Sequence, residues 1–212
     1  MKKLIFLLTV IISVSTHAQK RQFGFTAGTT IANYKAKSDG NNETLNSKAG
    51  FTLGVIANFA AGKSFVIQPA INWVQKGTQD KQTFMGVTEK VTLITNHIEV
   101  PLNFMYSSNG FFIGAGPSFS FGVSGKVKAE SGGTKTAEKV KFGNGDDDML
   151  KTFDLGANVL AGYQLKNGFL IAANYNLGLN NLAAGTDPSK GTLKSSYFGI
   201  KLGYLINSAG NK

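Results

Sequence analysis

The sequence predicts an all-β fold: an eight-stranded antiparallel up-and-down transmembrane β-barrel. Three observations point to it. Beyond Gln22 the apolar residues recur with period two, and helical spacing is convincing nowhere. The aromatic residues of one face gather at the strand ends. The strand glycines fall on the other face.

The alternation defines eight segments, at 23–31, 51–59, 65–73, 98–106, 111–121, 153–163, 169–177 and 198–206. Each is about the 9–11 residues that a tilted membrane strand needs. In the first, Phe23, Phe25, Ala27 and Ile31 alternate with Gly24, Thr26, Gly28 and Thr30. The connections alternate as well. Short turns are expected near 60–63, 107–110 and 166–168, and Asn-Gly at the last two is a strong hairpin signal. Long polar connections are expected near 35–49, 77–90, 126–149 and 183–195. Short and long links therefore lie at opposite ends of the sheet, as in outer-membrane barrels, where the short turns are periplasmic and the long loops extracellular. The same parity places both chain termini in the periplasm.

The face assignment separates a membrane barrel from a soluble one. Phe59, Phe65, Tyr106, Phe111, Tyr163, Phe169 and Tyr204 lie near the short turns. Phe51, Trp73, Phe119, Phe153 and Phe198 lie near the long connections. Aliphatic residues fill the space between, which predicts two aromatic girdles around an apolar belt. The opposite parity carries Gly24, Gly54, Gly116, Gly156, Gly199 and other glycines, small enough to offset large side chains in a narrow lumen. It also carries Glu99, Asp154 and Lys201, whereas the belt face is uncharged. A lipocalin-like barrel would show the reverse arrangement.

The N-terminus has its own signature. Lys2 and Lys3 precede an apolar run from Leu4 to Val14, then Ser15-Thr-His-Ala18. This predicts a secretory signal peptide over 1–18, cleaved after Ala18, with the barrel domain over 19–212. The apolar run is too short for a membrane helix. The chain has no cysteine, which excludes disulfides, thiolate metal sites and a lipoprotein anchor. The net charge of +10 is spread out, with no basic stripe or recognition helix, so no nucleic acid partner is expected.

Several segments resemble the PorT-like outer-membrane β-barrel family of Bacteroidota-type bacteria. They are FVIQPAINWVQKG (65–77), NHIEVPLNFMY (96–106), GFFIGAGPSFSFGVSGK (110–126), TFDLGANVLAGYQLKNGFLIAANYNLGLNNL (152–182) and YFGIKLGYLI (197–206). The resemblance spans nearly the whole mature chain. It departs at Ala70, where the family often has Glu, at His97, where it has Tyr, and in the polar tail after Ile206. It implies insertion by the outer-membrane assembly machinery and contact with outer-membrane lipids. Some members are linked to protein secretion, and most have no assigned activity.

The candidate site residues are the lumen charges Glu99, Asp154 and Lys201, with Lys76 near the outer rim. Buried charges need partners, so Lys201 is expected to pair with Glu99 or Asp154 in a network that plugs the barrel. His97 shares the lumen face with Glu99, Ser118 and Ser120, which allows a hydrolase to be imagined, although a triad is recognised by geometry and not by parity. Asn144-Gly-Asp-Asp-Asp148 lacks EF-hand spacing and reads as a solvated acidic loop. No cofactor, metal or catalytic residue is expected. The functional expectation is a non-enzymatic outer-membrane protein with a structural or interaction role through its long loops. A component of a secretion or transport assembly, with a secretion-system or surface partner, is the alternative, and a lipid-modifying barrel enzyme a remote one. Eight strands leave no aqueous channel, so a diffusion pore is not expected.

Overall fold

The computed structural model describes residues 21–38, 41–84, 87–185 and 191–207. The expected leader and most of the polar C-terminal tail lie outside the described residues. All ten elements are strands: β1 (Arg21–Ser38), β2 (Asn41–Thr44), β3 (Asn46–Ala60), β4 (Phe65–Phe84), β5 (Val87–Ser108), β6 (Phe111–Ser131), β7 (Thr134–Lys139), β8 (Phe153–Gln164), β9 (Phe169–Gly178) and β10 (Thr192–Asn207). Eight of them form a closed antiparallel ring in the order β1, β3, β4, β5, β6, β8, β9, β10. The ring closes where β10 pairs with β1 from Gln22↔Asn207 to Lys37↔Thr192. β2 and β7 are short additions that pair with the far ends of β1 and β6.

The stagger of the ring follows from its registers. A row of cross-strand partners that leaves β1 at Gln22 passes through Asn58, Gln68, Asn103, Gly116, Asn158, Asn176 and Tyr197. It returns to β1 at Ala32, ten residues further along. Such an offset requires strands inclined by about 40° to the barrel axis. In a ring this narrow the inward residues fill the interior and the outward ones face the surroundings.

The outward side chains are those the alternation assigned to the belt. Phe23, Leu53, Val55, Ile71, Val159 and Leu202 are all more than half exposed or close to it. Aromatic contacts run along the short-turn end, with Phe65 against Tyr106 at 5.9 Å and Phe169 against Tyr204 at 5.1 Å between ring centroids. Toward the other end Trp73, Ile98, Phe121 and Phe153 are successive cross-strand partners in one row. Val55 lies midway between Phe51 and Phe59 on β3. Val55→Arg is expected to destabilise the folded barrel in lipid vesicles by about 2–4 kcal/mol. The urea midpoint of unfolding measures this, and an unchanged midpoint would show that the belt does not contact hydrocarbon.

The turn at 107–110 shows how local sequence sets register. Ser108 pairs with Phe111, leaving Asn109 and Gly110 as a two-residue loop with φ of 52° and 86°. Both positions need positive φ, which Asn and Gly tolerate best.

The long connections differ from expectation. They are mostly strand: β4 and β5 stay paired out to Phe84↔Val87, and β6 and β7 meet at Ser131↔Thr134. As a result β4, β5 and β6 span 20, 22 and 21 residues, whereas β8 and β9 span 12 and 10. The reason is physical. Above the apolar belt a strand no longer needs an oily outward face, so period two survives with polar residues such as Lys126, Lys128 and Thr92 and gives little hydropathy signal. A bulge in β6 opposite Asn96/His97 shifts the parity, so Ser124 and Lys126 continue the outward face after Phe121.

Candidate functional site

The lumen is filled in layers. Toward the short turns lies an apolar cluster of Ile56, Met105, Phe112, Leu160, Leu170 and Leu205. The side-chain amides form a chain from strand to strand that starts on the short-turn side of this cluster, at Gln22, Asn58 and Gln68, and climbs past it toward β8 and β9 as the stagger raises the row. Asn58 Nδ2 donates to Gln22 Oε1 at 3.2 Å, Gln68 Nε2 to Asn58 Oδ1 at 2.9 Å, and Asn103 Nδ2 to Gln68 Oε1 at 3.4 Å. Asn158 Nδ2 then donates to Asn103 Oδ1 at 2.8 Å, and Asn174 Nδ2 to Asn158 Oδ1 at 3.0 Å. The Asn158–Asn103 bond crosses over β6 because Gly116 stands between them. A Cβ there would lie 1.8 Å from the Leu102 carbonyl oxygen. An amide both donates and accepts, so successive amides satisfy one another without introducing charge.

The charged layer lies toward the long-strand end. Lys76 Nζ is 2.9 Å from Asp154 Oδ2 and 3.7 Å from Glu99 Oε2. The ammonium also sits 5.4 Å from the centre of the Tyr197 ring. Tyr197 donates its hydroxyl hydrogen to Glu99 Oε1 at 2.5 Å, and Ser195 donates to Asp154 Oδ2 at 2.6 Å. All five residues are buried. Removing charges from water costs several kcal/mol per ion, and these partners offset that cost.

This geometry corrects two expectations. Lys201 forms no ion pair with Glu99 or Asp154. It lies lower on β10 than Tyr197 and lines, together with Glu99, a cavity of about 40 Å³ between the layers. Lys76 is not a rim residue. β4 continues its inward parity past Trp73, so the Lys76 chain reaches into the lumen and serves both carboxylates. The expected network exists with Lys76 at its centre.

The imagined hydrolase constellation is not assembled. His97 Nε2 is 3.0 Å from Thr95 Oγ1, and Thr95 is bonded in turn to the Tyr34 hydroxyl at 2.9 Å. Ser118 accepts from Asn176 at 2.6 Å, and Glu99 is held by Tyr197 and Lys76. No serine hydroxyl is bonded to His97 among the described residues.

A cap that the sequence reading missed closes the long-strand end. Val140, Leu150, Leu182 and Ala184 are buried there. The Phe142 ring lies over Gly122, where a Cβ would come within 2.3 Å of it, and meets His97 edge-on at 6.0 Å. Backbone bonds fix the segment: Gly122 N to Thr152 O at 2.8 Å, Val140 N to Gly125 O at 3.0 Å and Lys151 N to Leu182 O at 2.8 Å. The apolar residues Val140, Phe142 and Leu150 were the available signal inside an otherwise polar stretch. The acidic run beside them is a turn, in which Asp148 Oδ2 accepts from Gly145 N at 2.9 Å. Among the described residues no group of His, Asp or Glu is placed to hold a metal ion.

A family model described as an outer membrane protein beta-barrel domain matches residues 17–184. The chain belongs to this family. It is therefore an outer-membrane barrel, and the match is to the domain as a whole, without singling out the PorT-like branch. Several solved structures are similar to the chain at low identity. The attachment invasion locus protein Ail of Yersinia pestis is 13% identical with a TM-score of 0.47, covering 87% of this chain and 98% of that one. Neisserial surface protein A is 12% identical with a TM-score of 0.42, covering 86% and 97%. OprG of Pseudomonas aeruginosa is 10% identical with a TM-score of 0.44, covering 90% and 98%. No curated protein matches the chain.

Proposed function

We propose that this outer-membrane barrel is non-enzymatic and acts through the strand extensions of its long-strand end, which faces out of the cell while both chain termini lie in the periplasm. The asymmetry of the ring carries this reading. About ten residues per strand span the membrane, and the surplus of β4, β5 and β6 lies wholly at one end. The filled lumen and its cap leave that end as the working surface. All residues of β7 are exposed, and among the described residues β7 pairs with β6 alone, which leaves its other edge open to a partner strand. The PorT-like segments fit the same reading, because such barrels act through partners where they have a known role.

The absence of cysteine makes the test direct. Thr136→Cys in β7 and Lys63→Cys in a short turn are each treated with a membrane-impermeant maleimide on intact cells. Labelling of position 136 alone is expected, with position 63 reacting only after permeabilisation. The reverse pattern would overturn the orientation. Steady ion conductance in planar bilayers would overturn the closed lumen.

A further inference from the structure

The extension formed by β4, β5, β6 and β7 has two unlike faces. Cross-strand partners share a face, so the registers assign each side chain. One face carries Lys81, Lys90, Lys126, Lys128, Lys135 and Lys139, with Glu130 its one carboxylate. The other carries Asp80, Glu89 and Glu138 and no lysine. A solvated sheet with mixed charges would not separate the signs in this way.

The basic face continues the lipid-facing face. On β4 the outward residues run Trp73, Gln75, Gly77, Gln79 and Lys81 without a break in register. The row Trp73–Ile98–Phe121–Phe153 is followed by Gln75–Asn96–Ser124, tied by side-chain bonds of 3.2 and 3.0 Å. The next row contains Lys126 and Lys139. It lies roughly 10 Å above the aromatic row, at about 3.3 Å per residue along an inclined strand. That is just beyond the hydrocarbon edge, within reach of a long lysine chain bent toward the headgroups. Across the ring Lys35 and Lys194 hold the same outward position on β1 and β10.

The pairing of these lysines is the second observation. Lys81 lies directly opposite Lys90, Lys126 opposite Lys139, and Lys35 opposite Lys194. Like charges placed directly opposite on one face destabilise a sheet. Glu130, the one carboxylate of this face, stands opposite Lys90 and 3.8 Å from Lys135, four residues along β6 from the Lys126–Lys139 pair. An anionic group seated between the paired ammonium groups turns each repulsion into an attraction.

We infer that this lysine face docks the phosphate groups of a phosphorylated glycolipid in the adjoining leaflet, with the Lys126–Lys139 pair straddling an anionic headgroup. The inference rests on the proposed orientation, which makes that leaflet the outer one. The maleimide experiment tests the orientation, whereas the assay below uses micelles and does not depend on it, so the two fail separately.

The full mature barrel, folded in a neutral detergent, is titrated with bisphosphorylated lipid A and with lipid A stripped of both phosphates. The single tryptophan, Trp73, reports binding from the adjacent aromatic row. Loss of the phosphates is expected to weaken binding about tenfold or more. The variant combining Lys126→Gln and Lys139→Gln should lose a similar factor, whereas Lys81→Gln with Lys90→Gln further out on the extension, and Lys63→Gln with Lys166→Gln at the short turns, should each lose none. The variant combining Lys126→Arg and Lys139→Arg should retain binding. A stability readout separates docking from a structural role. Without lipid the Lys126→Gln, Lys139→Gln variant should have the higher urea midpoint, because the repulsion is gone, and with bisphosphorylated lipid A the wild type should overtake it. Equal affinity for the two lipids, or no effect of that variant, would overturn the inference. Inositol hexakisphosphate binding as tightly as lipid A would also overturn it, by assigning the face to a soluble polyanion.

Discussion

Lys76→Met is expected to destabilise the folded barrel by about 3–5 kcal/mol. The substitution leaves two buried carboxylates, Glu99 and Asp154, without the cation that lies 3.7 and 2.9 Å from them. The Tyr197 and Ser195 hydroxyls remain as donors, but a hydrogen bond does not cancel a full charge in a water-poor interior. Lys201 is the nearest replacement on β10, yet it makes no ion pair in the wild-type arrangement. Urea unfolding followed by Trp73 emission and by gel mobility with and without boiling measures the loss. The combined variant Lys76→Met, Glu99→Gln, Asp154→Asn should recover most of it, because replacing a whole buried ion cluster is often neutral. An unshifted midpoint in Lys76→Met would mean that water reaches the network.

Gly116→Ala is the second large effect. Its Cβ would fall 1.8 Å from the Leu102 carbonyl oxygen and 3.0 Å from the Asn103 Cα, both backbone atoms of the neighbouring strand. Backbone paired on both sides cannot yield locally, so the strand must shift. The Asn158–Asn103 bond, which crosses at this point, would be lost with it. The combined cost is about 3 kcal/mol or more. Refolding yield and urea midpoint should both fall. Gly132→Ala is the matched control: nothing lies within 4 Å of its Cβ, and its φ of 55° costs only about 1 kcal/mol for a non-glycine residue. If the two variants behaved alike, the close approach at Gly116 would not govern the effect.

The strand count and the in–out assignment were legible because a lipid-facing strand is sorted strictly, oily residues outward and small or polar ones inward. Glu99 and Asp154 were legible for the same reason, as charges at inward parity. The partner was less so. Parity places both Lys76 and Lys201 inside, but choosing between them requires the stagger of the ring, which brings β4 and β8 side chains together over β5 and β6. The amide chain was visible one strand at a time as inward Asn58, Gln68, Asn103 and Asn158, and became a chain only when the registers joined them. The cap and the strand extensions were hidden because they lie outside the oily zone. There, the seating of Phe142 and the burial of Leu150 depend on tertiary packing, and a polar strand looks like a loop.

The amide row also has a consequence for how the chain finds its alignment. Sliding one strand past its neighbour by one residue would turn its oily face inward, which the membrane forbids. Sliding it by two keeps every oily residue outside and blurs the girdles only slightly, so the lipid-facing pattern barely opposes that error. The amide row opposes it. Its members meet only where Gln22, Asn58, Gln68, Asn103 and Asn158 lie side by side, and a two-residue slip anywhere along it would leave buried amides facing aliphatic neighbours on both sides of the fault. The interior thus works as a combination lock, in which the outer surface admits several settings and the polar thread inside accepts one.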